Sequence, residues 1–345
     1  MRFHLSADEK QIYSRIKYLR GGLIGGGHSV RLARPAAPPR GPCDVWLHGV
    51  SPRPDFTIRP ELARAMLAFP GRLVFFKTDD CTFFPLDSIP QSLRSRASCM
   101  LANFWQRGAD APELSDYRTG LITPFLDPLD SDAGRDLEYR ENRVVFYGAQ
   151  TGVEKLPDGS NSRASAIRRI RAAGIPFLGG ITFWHEFEND MEILAPRLPK
   201  REFLDLLGNS TVCLALWGNA RLTYRLFEGL SRRAIVVYQS LQDVRFADAG
   251  LVPGEHYLDV RADLADLEEV LDHAMTNLSE MQAMADRGHA VFRERCAYSG
   301  IALPQPMVDQ ITATWGDWMG SVDTPSLKNG VLRRLLPRVK NLPNV

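Results

Sequence analysis

The chain alternates short β-branched or aromatic runs with helix-length amphipathic segments, and it does so twice with a polar interruption between. Parallel strands need a crossover connection, and a helix is the usual one, so this order points to parallel α/β sheets. In the first half, residues 1–5 (MRFHL), 28–32 (HSVRL), 44–50 (DVWLHGV) and 72–80 (RLVFFKTDD) are the predicted strands. Residues 6–20 and 59–69 are predicted helices, the first opened by Ser6 with Glu9 completing a capping box. The second half repeats the order, with strands over 143–148, 175–180, 211–218 and 234–240 and helices over 162–174, 200–209 and 223–233. Beyond it, Leu264, Leu267, Val270, Leu271 and Ala274 share one face of a further helix, and residues 279–296 continue as helix.

Residues 127–142 are polar, acidic and aperiodic, the composition of a linker. The expected organisation is therefore an acceptor-side α/β domain (1–126), a linker (127–142), a donor-side α/β domain (143–300), a C-terminal helix (301–320) and a basic tail (321–345). With 345 residues and 44% hydrophobic composition, the chain is long enough for two cores. The fold class expected is α/β, two Rossmann-like doubly wound domains facing across a cleft.

Charge narrows the partners. Forty-two basic against 41 acidic side chains give no global field of the kind nucleic-acid binders carry. No run approaches the ~18 apolar residues of a membrane span, and the N-terminus lacks an apolar signal region, so a cytoplasmic protein is expected. The tail around Lys328, Arg333, Arg334, Arg338 and Lys340 is read first as solvated, and second as a peripheral contact with an anionic inner-membrane surface. Five dispersed cysteines without C-x-x-C and seven scattered histidines indicate neither disulfides nor a metal site, so no metal and no cofactor are expected. The glycines of GGLIGGG (21–27) follow a helix and precede a strand, the wrong order for a phosphate loop; they read as a helix stop.

The segment RLTYRLFEGLSRRAIVVYQS (221–240) carries the most chemistry. It leads from the strand over 211–218 into a helix at the carboxyl edge of a sheet, where ligands of such sheets bind. A helix start presents free N–H groups and a positive dipole end to an anion. Arg221 and Arg225 would add bidentate bonds to phosphate oxygens, and Glu228, one turn on, would accept ribose hydroxyl protons. An ordinary i,i+3 ion pair worth ~0.3 kcal/mol has the same spacing, so spacing alone leaves the two readings open.

TYRLFEGLSRRAIVVY with GEHYLDVRADLADLEEVLDHAM resembles the donor half of GT-B glycosyltransferases, especially the exostosin-like and group 1 families. The resemblance takes in KREFLDLLGNSTVCLALWG and VVFYGAQTG with SRASAIRRIRAAGIPFLG, about residues 143–300, while GHSVRL matches a Gly-His-x-Val strand entry in the first half. It implies a nucleotide-sugar donor on the second domain, Arg225 on its diphosphate and Glu228 on ribose or sugar. Arg221, Thr223, Tyr224, Gly148, Arg163 and His185 complete the expected substrate-binding set.

The implied reaction moves the sugar to a hydroxyl of a glycan, lipid-linked or other acceptor. Many retaining group 1 enzymes carry an acid eight positions before the one matched by Glu228; this chain has Ala220 there, so inversion is expected. Where the families favour a Gly-x-x-Pro turn after the helix, Arg233 and Val236 stand here. A base would come from the first domain: Asp80 leads, ahead of Asp79 and His48, because it follows the strand richest in Val and Phe. The alternatives are a nucleotide-sugar epimerase or hydrolase on the same fold, and a non-catalytic nucleotide-sugar-binding scaffold.

Overall fold

The computed structural model describes residues 1–8, 19–20, 23–24, 27–51, 56–77, 86–97, 99–102, 104–106, 119–121, 134–149, 155–182, 192–218, 221–240, 242, 244–246 and 250–296. Two six-stranded parallel sheets organise them. The first contains β1 (Arg2–Ser6), β2 (Ser29–Ala33), β3 (Val45–Gly49), β4 (Arg72–Lys77), β5 (Cys99–Ala102) and β7 (Thr119–Leu121), in the order β2-β1-β3-β4-β5-β7. Helices α1 (Pro60–Ala68) and α2 (Gln91–Arg96) lie between its strands in sequence.

The second sheet contains β8 (Glu141–Ala149), β9 (Phe177–Thr182), β10 (Leu194–Ala195), β11 (Ser210–Ala215), β12 (Ile235–Gln239) and β14 (Leu258–Val260). Its order, β10-β9-β8-β11-β12-β14, is 3-2-1-4-5-6 in sequence terms, the Rossmann arrangement. Helices α3 (Ser162–Ala172), α4 (Lys200–Gly208), α5 (Arg225–Ser231), α6 (Leu267–Thr276) and α7 (Leu278–Val291) accompany it. A two-stranded antiparallel ribbon of β6 (Phe104–Gln106) and β13 (Val244–Phe246) joins the halves, pairing Trp105 with Arg245.

Strand alternation sorts the first sheet. Phe3, Leu5, Val45, Leu47, Val74 and Phe76 point to one apolar cluster, whereas Trp46, Leu73 and Phe75 point to another beneath α1 and α2. In the second sheet, β8 and β12 are buried on both faces, as central parallel strands are. The face formed by Leu264, Leu267, Val270, Leu271 and Ala274 packs on it as expected. Two glycines of β9 permit the close strand spacing: a Cβ at Gly179, whose φ is +116°, would fall 1.9 Å from the Phe146 carbonyl oxygen.

Several expectations are corrected. Ser6 closes β1 instead of capping a helix, because its hydroxyl is taken by Trp46 and His48 across the sheet. The strand expected from residue 143 is β8, which opens at Glu141; Leu137 sits in the second core, and its amide donates to Gln282 on α7 at 2.7 Å. The helix expected over 223–233 is the seven-residue α5, and the one expected to include Leu264 starts at Leu267. Arg233, at φ +56°, takes the left-handed position that the expected family turn gives to glycine, and ion pairs to Asp136 and Asp286 hold it there. Gly27 adopts φ +80° and its amide donates to Ile24, a helix-stop geometry; Gly21, Gly22, Gly25 and Gly26 lie outside the described residues. The C-terminal helix and basic tail also lie outside them.

Candidate functional site

In each sheet the strand order reverses direction at one place, and the carboxyl ends there bound a crevice. In the second sheet it lies between β8 and β11. Arg163, in the first turn of α3, spans that crevice: Nε donates to the Trp217 carbonyl at 2.7 Å and Nη1 donates to the Ala149 carbonyl. The guanidinium lies 5.6 Å from the centre of the Phe146 ring, and the residue is 7% exposed. Asn161 caps α3, its side chain accepting from the amides of Arg163 and Ala164, which fixes the start of the helix. Gly148 leaves the room: a Cβ there would stand 3.2 Å from Arg163 Nη1 and 2.7 Å from Phe146 Cζ.

Arg225 is the first residue of α5 and reaches back over the same strand. Its Nε donates to the Tyr147 carbonyl at 2.9 Å, Nη2 shares that carbonyl, and Nη1 pairs with Glu228 Oε2. The guanidinium stacks 4.3 Å from the centre of the Phe203 ring. Side-chain exposures of 22% for Arg225 and 8% for Glu228 make this a partly buried pair, not the solvated one that spacing alone allowed. Of the five guanidinium N–H groups, three are engaged among the described residues, leaving one on each η nitrogen. Glu228 Oε1 accepts no hydrogen bond among the described residues.

The preceding turn is built by residues that sequence reasoning did not single out. Tyr238, buried in β12, donates its hydroxyl proton to the Arg221 carbonyl at 2.7 Å and accepts from the Thr223 amide at 2.7 Å. Burial raises its phenol well above the ordinary range. Gln239 accepts from the Trp217 amide at 3.0 Å and donates to the Ala262 carbonyl at 2.8 Å, while Trp217 Nε1 donates to the Gln239 carbonyl at 2.7 Å. Arg221 lies 4.4 Å from the centre of the Trp217 ring. Tyr224 is the residue before α5 and is half-buried against the core. The Tyr-Gln end of an otherwise aliphatic strand was the available signal, since a buried phenol or amide needs partners.

In the first sheet the order reverses between β1 and β3, at Ser6 and His48. Trp46 Nε1 donates to Ser6 Oγ at 2.8 Å, and Ser6 Oγ bonds His48 Nδ1 at 3.0 Å. Ser6 retains both a proton to give and a second lone pair, so this contact forms with either imidazole tautomer, and Nε2 is buried with no partner among the described residues. Burial, with Arg59 and His4 nearby, pushes the imidazole down to about 3. His48 is thus a neutral, enclosed imidazole at neutral pH. Asp79, Asp80 and His185 lie outside the described residues.

Among the described residues, no three His, Cys, Asp or Glu side chains gather as metal ligands would, and no helix is long and apolar enough to cross a membrane.

No family model matches the chain, and no curated protein matches its sequence. Among solved structures, a glycosyltransferase from Rickettsia africae ESF-5 superposes with a TM-score of 0.54 at 8% identity, over 93% of this chain and 99% of that one. The apo structure of OtsA gives 0.52 at 10% identity, over 93% of this chain and 100% of that one. These likenesses and the two parallel sheets together establish a two-domain Rossmann-like α/β fold of the GT-B kind.

Proposed function

We propose that the chain is a GT-B glycosyltransferase that moves a sugar from a nucleotide diphosphate donor to an acceptor hydroxyl with inversion and without a bound metal. The observation that carries this reading is the Arg225–Glu228 pair over the carboxyl end of β8 in a sheet of Rossmann order. Arg225 keeps two N–H groups for phosphate oxygens while Tyr147, Phe203 and Glu228 hold its guanidinium in place. A fixed cation stabilises a departing diphosphate without reorganising during the reaction, the role a metal would otherwise fill. Glu228 Oε1 is the acceptor for a ribose or sugar hydroxyl. Arg221, Thr223 and Tyr224 form the turn that borders the donor, and His185 belongs to the same proposed donor-binding set.

The base comes from the first domain, facing the anomeric carbon from the acceptor side. Asp80 remains its first candidate and Asp79 its second. His48 ranks behind both, since its Nδ1 is bonded to Ser6 and burial opposes protonation of its ring. The missing acid at Ala220 supports inversion over retention.

A thermal-shift panel of UDP, GDP, ADP and CMP tests donor binding, because a ligand at ~100 times its Kd stabilises by ~2.7 kcal/mol. Transfer or hydrolysis of the matching nucleotide sugar then separates an enzyme from a binding protein. Absence of any nucleotide response would overturn the reading.

A further inference from the structure

Near the end of β12 stands a phenol whose hydroxyl the apolar core does not need. Tyr238 is fully buried, and its ring belongs to the cluster of Cys213, Leu226 and Val236 and meets Tyr257 edge-on, with ring centres 6.2 Å apart. A phenylalanine ring would fill the same space, and a buried hydroxyl is unfavourable unless it is bonded. Here every contact of the hydroxyl is to one turn. It donates to the Arg221 carbonyl at 2.7 Å, accepts from the Thr223 amide at 2.7 Å and lies 3.3 Å from Thr223 Oγ1. Burial keeps the phenol protonated, so the donated bond persists across the neutral range.

The next residue holds the same turn from the other side. Successive side chains of a strand point to opposite faces, and Gln239 accepts from the Trp217 amide at 3.0 Å while donating to the Ala262 carbonyl at 2.8 Å. Trp217 Nε1 donates to the carbonyls of Gln239 at 2.7 Å and Ser240 at 3.0 Å, which fixes the indole on which the Arg221 guanidinium lies. Arg221 is therefore held twice from one strand end: its carbonyl by Tyr238, its guanidinium through Trp217. Between them Leu222 is fully buried, so the turn cannot swing without drawing an apolar side chain out of the core.

We propose that Tyr238 is a positioning residue for donor binding: its hydroxyl fixes the Arg221–Thr223 turn so that the Arg221 guanidinium, laid on Trp217, meets the donor diphosphate. The inference rests on the nucleotide-sugar reading of this site and extends it to a residue enclosed in the core. Tyr238 acts through Arg221 and does not itself reach the donor. A displacement of about 1 Å is enough to spoil bidentate contact with phosphate oxygens.

The test is titration calorimetry of the full chain with UDP, GDP and ADP in turn. Tyr238→Phe, which deletes one oxygen, weakens the nucleotide that the wild type binds about tenfold, and Arg221→Ala does the same. The double variant binds within about twofold of Arg221→Ala alone, since the hydroxyl has no arginine left to position; independent contributions would multiply to roughly a hundredfold loss. Leu271→Ala, a cavity on α6 in the other apolar cluster, lowers Tm yet binds within about twofold of wild type, which separates positioning from a general loss of stability. In the wild type, hydrogen exchange of the Thr223 amide slows further when nucleotide binds, a readout that needs no variant to fold. The positioning role is overturned, with the donor reading left standing, by any of four results: wild-type affinity in Tyr238→Phe, multiplying losses in the double variant, an equal loss in Leu271→Ala, or Thr223 exchange unmoved by bound nucleotide. A wild type that binds none of the three nucleotides removes the donor reading itself, and the positioning role with it.

Discussion

Arg163 donates from Nε to the backbone carbonyl of Trp217 at 2.7 Å, and the same guanidinium holds the carbonyl of Ala149. One side chain therefore ties the carboxyl ends of β11 and β8 together where the strand order reverses. Rossmann-type folds leave a crevice at this place for a ligand; here an arginine from the following helix occupies part of it, which makes the residue structural first. Arg163→Met keeps most of the apolar stem and removes the donors. We expect a loss of about 3 kcal/mol from the unsatisfied carbonyls, or roughly 6–12 °C in Tm for a domain of this size. Nucleotide affinity in the folded variant, measured by calorimetry, stays within about threefold of wild type. A large fall in affinity with no fall in Tm would return Arg163 to the donor-binding residues.

The Arg225–Glu228 pair separates into two roles on the same test. Arg225→Ala removes the proposed phosphate contact and leaves Glu228, at 8% exposure, without its cation. Removing one partner of a buried pair costs about 3–5 kcal/mol, and the exposure of Arg225 puts this case at the low end, about 3 kcal/mol. Diphosphate recognition is lost with it. Glu228→Gln keeps an acceptor oxygen beside Arg225, so pyrophosphate affinity is retained while nucleotide affinity falls about tenfold. Equal losses for nucleotide and pyrophosphate in Glu228→Gln would show that the glutamate only orients the arginine.

What the sequence made legible was what periodicity encodes. The strands β1–β4, β8, β9, β11 and β12, the apolar face of α6 and the fold class follow from period-2 and period-3.6 patterns, whereas β5, β7, β10 and β14 were not read. Contacts across the sheet were not legible, because they depend on which strands become neighbours. Ser6 illustrates the difference: S-x-x-E reads as a helix cap, yet Trp46 and His48 reach Ser6 only when β3 pairs beside β1. Arg225 and Glu228 were visible as a pair, whereas the Tyr147 carbonyl and the Phe203 ring that immobilise Arg225 come from elements far away in sequence. Backbone carbonyls have no letter in the sequence, so the clamp made by Arg163 was also hidden.

The choice of base is decided by kinetics. Asp80→Asn preserves size but removes the proposed base, so donor affinity is expected to be unchanged and kcat to fall by about 10²–10⁴. His48→Gln lowers stability while leaving kcat of the folded fraction within about threefold, because an enclosed imidazole bonded to Ser6 takes no part in proton transfer. Turnover is expected to survive EDTA. Loss of turnover on chelation, with recovery by Mg or Mn ions, would instead make Asp79 and Asp80 metal ligands.

Two buried groups shape the dependence of stability on pH, and they act in opposite directions. Burial lowers His48 from its ordinary 6.5 to about 3, so below pH 6.5 the unfolded chain binds a proton that the folded one refuses. Its contribution is present above pH 6.5 and is lost as pH falls, with a slope of up to about 1.4 kcal/mol per pH unit. His4, His28 and His289 are lowered by the same cause and add the same sign. Asp259 on β14 is raised to about 6 by burial and by Asp266, and its Oδ1 has no partner among the described residues. Its contribution is present below pH 3.8 and disappears as pH rises through about 6, so over that interval it offsets part of the histidine slope. Asp259→Asn is therefore expected to stabilise the protein at about pH 7.5 by ~1 kcal/mol, a figure reduced for the partial exposure of the group, with the gain vanishing near about pH 4. His48→Gln does the reverse of a simple gain: it flattens the acid limb and leaves the Asp259 slope visible. Urea unfolding of the three proteins across this range checks both signs. A wild-type profile whose acid limb survives unchanged in His48→Gln would show that the other histidines or the carboxylates outside this pair set the acid sensitivity.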